Sequence, residues 1–339
     1  MTALSIVVPC FNEEACLVEL HQRLSAAAQI AVGEDHELVL VNDGSRDASW
    51  PAMQRMAAAD PHLVAINLSR NHGHQLALTA GLDLCRGQTI LIIDADLQDP
   101  PELLPAMLAA MRDQQADVVY GVRKSRSGET AFKRATAHGF YRLLSRATEV
   151  DIPLDAGDFR LMSRRALDAL LAMPEQARFI RGMVAWIGFK QVPFPYDRAE
   201  RFAGDTKYPL TKMMRFAFDA LTGFSSAPLK LASHAGLLLS AGSVLLVLYI
   251  TYAWLAGQSI QGWTSLMLVV VILGAIQMFA LALMGEYIGR LYNEAKGRPL
   301  YIVQDVAGGE RRSEARLGYL ADASANSDKP GGKGKRPTK

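Results

Sequence analysis

The chain is poor in cysteine: Cys10, Cys16 and Cys85 are the only three in 339 residues, and no CxxC pair occurs. That excludes a disulfide framework and any zinc-ribbon spacing, and it fits thiols kept reduced in a cytosolic compartment. Net charge is also small, at +2, so the electrostatic footprint of a dedicated nucleic-acid binder is missing. Neither GxGxxG nor GxxxxGK[ST] occurs, which removes the main support for dinucleotide and P-loop folds. No basic segment followed by an apolar core opens the chain, so no signal peptide is expected.

The most informative absence is local. Residues 231–285 contain no Asp, Glu, Lys or Arg. A transmembrane helix needs about 20 mostly apolar residues, and two fit, over 231–255 and 264–285. Residues 257–263 supply a polar turn, with Trp254 and Trp263 as interfacial aromatics. Lys212, Arg215 and Lys230 flank one end of the pair, Arg290, Lys296 and Arg298 flank the other, and the connecting turn has no basic residue. Both ends therefore face the cytoplasm. A buried hairpin in a soluble protein is the competing reading, and it would demand a very large core around two uncharged helices.

Before this stretch, apolar strand patterns alternate with helix patterns. Strands are predicted over residues 5–9, 37–42, 63–68, 88–94 and 117–121, and helices over 15–32, 48–60, 74–85 and 101–115. Such alternation predicts a mainly parallel, doubly wound α/β sheet. The strand over 88–94 is distinctive. The run Ile90 to Ile93 ends in Asp94, Ala95, Asp96, Leu97 and Gln98. Side chains of an extended chain alternate, so Asp94 and Asp96 share one side, at the carboxyl edge where open α/β sheets bind ligands. Two carboxylates and an amide oxygen suit Mg²⁺ or Mn²⁺; the plainer alternative is a solvated strand end. Asp99 is predicted to N-cap the next helix, with Pro100 in its first turn and Glu102 closing a capping box.

Residues 132–146 and 208–222 carry apolar side chains at helical spacing among basic ones. Helices of that kind beside membrane spans read as lying in the headgroup layer, against ordinary packing on the sheet. The tail from Ala307 is rich in Gly, Lys, Ser and Arg and reads as disordered, ending in a basic cluster over 329–339. Glu286 is predicted to pair with Arg290 four residues on. His72 and His74 flank Gly73 without a metal-ligand set and read as turn and cap residues. The domain reading is a cytosolic unit over 1–207, a juxtamembrane amphipathic helix over 208–230, two transmembrane helices over 231–286 and a cytosolic segment with the basic tail over 287–339.

Several turns collect at strand ends: Pro9-Cys10-Phe11-Asn12-Glu13, Asn42-Asp43-Gly44-Ser45, Asp94-Ala95-Asp96-Leu97-Gln98 and Gly157-Asp158-Phe159-Arg160. With Asp99-Pro100-Pro101-Glu102 and Arg201-x-x-Gly-Asp-Thr-Lys-Tyr, their order resembles glycosyltransferase family 2. More narrowly it is similar to the polyprenyl-phosphate glycosyltransferases, over residues 4–303. That resemblance implies a GT-A fold and an inverting, membrane-bound enzyme of the bacterial inner membrane. Such an enzyme moves a sugar from a nucleotide diphosphate to polyprenyl (undecaprenyl) phosphate. It implies a multi-pass protein with catalytic domain and termini in the cytoplasm, Mg²⁺ or Mn²⁺ as cofactor, and no nucleic-acid partner; a homo-oligomer is left open.

By the same resemblance Pro9, Phe11, Glu13, Val41, Asp43, Asp94, Ala95, Asp96, Gln98 and Lys207 would bind the donor. Asp96, Gln98 and Asp94 would hold the metal. Arg123, Arg126, Arg134 and Arg201 would meet lipid phosphate, and Asp158, Asp96 and Arg201 would be catalytic. Phe11 departs from the usual tyrosine, which keeps base stacking and loses a hydroxyl; Thr206 replaces a common serine. A lipid phosphate has a second pKa of about 6 and is already an anionic nucleophile at neutral pH, so Asp158 is read as orienting rather than as an obligatory base. UDP-glucose is the favoured donor, with GDP-mannose or a modified UDP-pentose as alternatives. A processive polysaccharide synthase is a second enzyme reading, weakened because residues 181–186 lack Gln-x-x-Arg-Trp. A catalytically dead membrane scaffold or lipid carrier is the non-enzyme reading.

Overall fold

The computed structural model describes residues 2–123, 156–197 and 262–308, with scattered positions between 236 and 256. In chain order the elements are β1 (Leu4–Cys10), α1 (Leu17–Val32), β2 (His36–Asn42), α2 (Ser49–Ala59), β3 (Leu63–Leu68), α3 (His74–Leu84) and β4 (Thr89–Ile92). A 3-10 turn (Pro101–Leu103) leads into α4 (Leu104–Asp113), followed by β5 (Val118–Arg123), β6 (Ala156–Ser163), α5 (Arg164–Leu171), α6 (Ile180–Trp186) and β7 (Gln191–Tyr196). A long helix α7 (Trp263–Ala295) and a last strand β8 (Val303–Ala307) complete the described chain.

All eight strands join one sheet in the order β7-β5-β6-β4-β1-β2-β3-β8. β1, β2, β3 and β4 run parallel, and β7 runs parallel to β5. β6 enters antiparallel between β4 and β5, and β8 pairs antiparallel with β3. The mainly parallel α/β sheet expected from the strand–helix alternation is present. β1 to β3 are buried along their whole lengths, because helices cover both faces and leave no side for polar alternation. One core layer gathers Ile6, Val8, Leu20, Leu24, Leu38 and Leu40 under α1; the other gathers Val7, Val39, Val41, Leu78 and Leu82 under α3. There α3 lies so close that a Cβ on Gly81 would stand 2.4 Å from a Val7 methyl. At the far edge β7 carries Pro193 and Pro195, residues that blunt an edge against further pairing.

The capping and tail expectations change. Asp99 and Glu102 do not cap the helix: Pro100 occupies the N-cap position and no side chain bonds there. Glu102 instead takes a two-pronged bond from Arg23 on α1 at 2.7 and 2.8 Å, and the buried Asp99 accepts from the Tyr196 hydroxyl. Ala307 does not begin a disordered tail: 303–307 pairs with β3 and so belongs to the same sheet as the N-terminal strands. The sheet therefore does not end by residue 207. Among the described residues one helix is long and apolar enough to cross a membrane, with its candidate span at Ile272–Ala295. The first expected span lies mostly outside the described residues, as do both basic amphipathic helices, Trp254, the basic tail, Arg126, Arg134, Arg201, Thr206 and Lys207. Glu286 does pair with Arg290, at 3.1 Å.

Candidate active site

The carboxyl ends of β1, β2, β3 and β4 share one edge, and the turns leaving them are tied together. Asn12, at φ 58, reverses the chain after β1. Its N–H donates to Ser45 Oγ at 2.9 Å and its Oδ1 accepts from the Arg46 N–H at 2.8 Å. The Glu13 N–H donates to Ser49 Oγ at 3.0 Å. This lacing fixes the lip on which Phe11 stands 43% exposed. Pro9 is buried within β1, and Val41 is wholly buried in β2, with no side-chain surface toward the opening.

Asp43 is turned inward. Its Oδ1 accepts the His72 N–H at 2.7 Å and its Oδ2 the Gly73 N–H at 3.0 Å. Burial raises its pKa, and the two N–H bonds only partly offset that rise. The latch holds the β3–α3 turn against β2, where a Cβ on Gly44, itself at φ 64, would strike the backbone of Arg70 and Asn71 at 2.5 Å.

After β4 the alternation foreseen for the acidic turn holds. Ala95, Leu97 and Asp99 are buried in the core, while Asp94, Asp96 and Gln98 are part-exposed on the other side. Leu97 at φ 57 bends the chain, and Asp96 Oδ1 accepts the Gln98 N–H at 3.2 Å, a local Asx turn. Burial pushes the Asp94 carboxyl up to about 6; His74 opposes the rise, and Asp158, Asp99 and Asp96 add to it.

Asp158 comes from β6, the antiparallel insertion, and reaches the same place. His74 Nε2 lies 3.3 Å from Asp158 Oδ2 and 3.6 Å from Asp94 Oδ1, so one imidazole bridges the two carboxylates. Arg181 on α6 stands 3.3 Å from Asp158 Oδ1. The fully buried Arg160 stands 3.7 Å from that oxygen and donates to Gly157 O at 3.0 Å. Gln75 Nε2 adds a bond to Asp158 Oδ2 at 3.4 Å. Burial alone would raise the Asp158 pKa; the His74 hydrogen bond and the charges of Arg181 and Arg160 reverse that and hold it far below the usual carboxylate range. Burial pulls Arg160 down to about 10. For His74, burial favours the neutral ring, but Asp158 and Asp94 win and raise its pKa. A carboxylate so strongly stabilised as an anion is a poor proton acceptor. Its place among three cationic groups suits holding them in position.

Arg123, the last residue of β5, hydrogen-bonds Tyr196, and its guanidinium lies 3.5 Å from where a Gly157 Cβ would stand. Its Nε finds no hydrogen-bond partner among the described residues. Of the side chains proposed for lipid phosphate it is the one whose position is described.

Four residues of this cluster were given no part in the site by the sequence: His74, read as a turn and cap residue, Gln75, Arg160, which closed the fourth strand-end turn without a role, and Arg181. A signal for the first two existed. β3 is parallel to β2, so the Gly73-His74-Gln75 turn belongs to the same ligand-binding edge as the other turns. Arg181 carried no such mark, because α6 is placed by tertiary packing.

Oxygen ligands for a cation are present, though no group of three His, Cys, Asp or Glu side chains among the described residues is close enough to hold one alone. Asp94 Oδ1 is buried without a hydrogen bond. That fits a hard divalent ion taking few protein oxygens and completing its shell from phosphate and water.

Residues 5–171 match the family described as Glycosyl transferase family 2. An uncharacterized glycosyltransferase, YkcC of Bacillus subtilis, is 48% identical over 91% of this chain and 95% of its own length. A prophage bactoprenol glucosyl transferase homolog of Escherichia coli is 38% identical over 89% and 99%. The bactoprenol glucosyl transferase of Shigella phage SfV is 36% identical over 89% and 98%. A mannosyltransferase from Pyrobaculum calidifontis, solved in complex with GDP-Man and Mn²⁺, is similar at 18% identity and TM-score 0.42 over 84% of this chain and 86% of that one. That likeness is too loose to bear on function or metal.

Proposed function

The chain belongs to glycosyl transferase family 2, and from that premise we propose that it moves a sugar from a nucleotide diphosphate to a polyprenyl phosphate at the cytoplasmic face of a membrane, with inversion. Glucose from UDP-glucose is the favoured group, supported by the kinship to bactoprenol glucosyl transferases. The observation that carries the proposal is the cluster at the sheet edge: Asp94 beside Asp158, joined by His74 and backed by Arg160 and Arg181.

Each part has a role in such a transfer. Phe11 offers an exposed ring for a base to stack on, and Glu13 stands beside it. Asp94, Asp96 and Gln98 would hold Mg²⁺ or Mn²⁺ against the diphosphate, which neutralises charge gathering on the leaving group. The acceptor phosphate is an anion already and needs attraction more than deprotonation. Arg181, oriented by Asp158, and Arg123 beside Gly157 supply that attraction through charge-assisted hydrogen bonds. Arg126, Arg134, Arg201 and Lys207 are the further cations proposed along this path. A single displacement by a phosphate oxygen at the anomeric carbon inverts it.

α7 supports the membrane setting. Its 33 residues make a rod of about 50 Å at 1.5 Å per residue. A hydrocarbon core of about 30 Å takes up roughly 20 of them. With the uncharged residues 264–285 in that core, the last turns, which hold Glu286, Arg290 and Glu294 within the apolar stretch Ile272–Ala295, stand clear of the bilayer, and Glu294 meets the sheet domain at Gln176. The second span over 231–255, both termini in the cytoplasm and the bacterial inner membrane as location complete the proposal.

The test is a donor panel. Full-length protein in membrane vesicles with undecaprenyl phosphate and Mg²⁺ or Mn²⁺ is given UDP-glucose, GDP-mannose and UDP-pentoses. Sugar should appear on the lipid from one of them, and Asp96→Ala should abolish transfer while leaving the protein membrane-bound. Undiminished turnover by that variant, or a polymeric product, would overturn the reading.

A further inference from the structure

The long helix α7 is tied to the loop in front of α6 by a side chain at its end. Both carboxylate oxygens of Glu294, one residue from the end of α7, accept the N–H of Gln176, at 2.9 and 3.0 Å. Gln176 lies in the loop between α5 and α6. Two residues on, Arg178 Nη1 donates to Leu170 O at 3.2 Å, tying the loop back to α5. The loop then enters α6, and the first two residues of α6 make the contacts that matter. The Ile180 N–H donates to Gln75 Oε1 at 2.9 Å, and Gln75 Nε2 donates to Asp158 Oδ2 at 3.4 Å. Arg181 Nη2 donates to Asp158 Oδ1 at 3.3 Å. Each oxygen of Asp158 is therefore held from the start of α6, one directly and one through Gln75.

α6 has only seven residues, and a helix that short does not hold itself in place. Its inner face is seated by Ile180, Met183 and Val184 in the core, which fixes depth. The approach of its first turn depends on the loop in front of it, and Glu294 anchors that loop to a different element.

We infer that Glu294 is a positioning residue: from the end of α7 it sets the loop that delivers Ile180 and Arg181 to Asp158. The inference rests on the proposed transferase reading for its kinetic consequence, and the geometry makes a prediction of its own. The cluster's alignment is tied to the helix proposed to cross the membrane, so a change in the seating of α7 is passed to Asp158 through five residues of chain. Small misplacements at a reacting centre cost rate steeply, while the donor-side turns after β1 and β2 lie outside this connection and the turn after β4 meets it only across His74.

The experiment uses full-length protein in vesicles, with Glu294→Ala and Glu294→Gln. The amide oxygen of glutamine still accepts the Gln176 N–H, so Gln should behave as the rescue. First, hydrogen exchange is followed in peptides spanning 174–184. Ala should speed exchange there by about tenfold, the loss of roughly one hydrogen bond's protection, and Gln should restore it to within about twofold. Unchanged exchange in Glu294→Ala overturns the inference, and this readout needs no activity. Second, with the donor found by the panel, Ala should lower kcat by about tenfold or more with the donor KM within about twofold. A fall in melting temperature with kcat intact would mean a merely structural bond and would also overturn it. Absence of transfer by the wild type sinks the transferase reading instead, and the exchange result still decides the role of Glu294.

Discussion

His74 Nε2 stands 3.3 Å from Asp158 Oδ2, and that pair joins two strands that enter the sheet in opposite directions. His74 opens the helix after β3 and Asp158 sits on antiparallel β6. Removing the imidazole takes a charge-assisted bond from Asp158, worth about 1.5–3 kcal/mol. His74→Ala should therefore lower kcat/KM for transfer by about 10- to 100-fold, and His74→Gln, which keeps a donor, should lose less. The pH profile should move too. The folded pKa of His74 is raised, so the bridge is complete below the ordinary histidine value and weakens as pH rises through the raised one. The wild type should show an alkaline limb above pH about 6.5 that His74→Gln lacks.

Asp94 governs the acid side. Its carboxyl sits at about 6 against an ordinary 3.8. A cation needs it ionised, so binding must displace a proton. The apparent affinity for Mn²⁺ should weaken by about tenfold per pH unit below 6, measurable by calorimetry in two buffers as proton release. Asp94→Asn should remove that dependence together with most transfer. The sign for stability is opposite. A raised carboxyl binds its proton more tightly in the fold than in the unfolded chain. The cation-free protein therefore loses stability as pH climbs from about 4 to about 6. At pH 7 and without metal, Asp94→Asn should melt higher than the wild type; a lower melting temperature would count against burial as the cause.

Gly121 faces the edge-to-face pair of Phe159 and Tyr196, whose ring centroids are 5.4 Å apart. A Cβ there would meet them at 2.8 and 2.7 Å. Gly121→Ala should destabilise the protein by about 1–3 kcal/mol through overpacking, read as a drop in melting temperature in detergent. Tyr196 bonds Asp99 and Arg123, so transfer should fall as well. A neutral result would mean that β5 can shift to accept the methyl.

The strand pairing at the other edge predicts a sharp boundary for truncation. Ending the chain before Val303 strips β8 from β3 and bares a fully buried, apolar strand, the kind of edge that pairs with other chains. That truncation should aggregate on solubilisation. One ending after Gly308, which sits at φ 82 and where a Cβ would stand 2.2 Å from Leu63 O, retains β8 and should stay monodisperse by gel filtration.

Which parts were legible in advance follows from the range of the forces involved. The strands and helices from β1 to β5 could be read within a residue or two at most ends, since periodicity and turn residues are local signals. β6 could not: Gly157, Asp158 and the buried Arg160 break up its core residues Phe159, Leu161 and Met162, so residues 157–160 read as a turn at a strand end when they lie within the strand. β7 is interrupted by two prolines, and β8 pairs with a strand more than 230 residues earlier, a distance at which no window of sequence has information. The acidic turn after β4 declared itself because a buried run ended in carboxylates at alternate positions. His74 did not, because a histidine beside a glycine looks like turn chemistry until α3 swings it over Asp94. The capping-box pattern at Asp99 and Glu102 was a local signal overruled by tertiary partners, Tyr196 and Arg23.

The late arrival of β8 has a consequence for biosynthesis. At roughly 5–20 residues per second on the ribosome, β3 is made some 12–50 seconds before its antiparallel neighbour. Throughout that interval the nascent catalytic half has an open flank. It can close only after α7 has been synthesised. Completion of the sheet thus reports that the chain has been made to its last strand: a copy that stops short of Val303 keeps an unfinished edge along β3, open to a protease or chaperone.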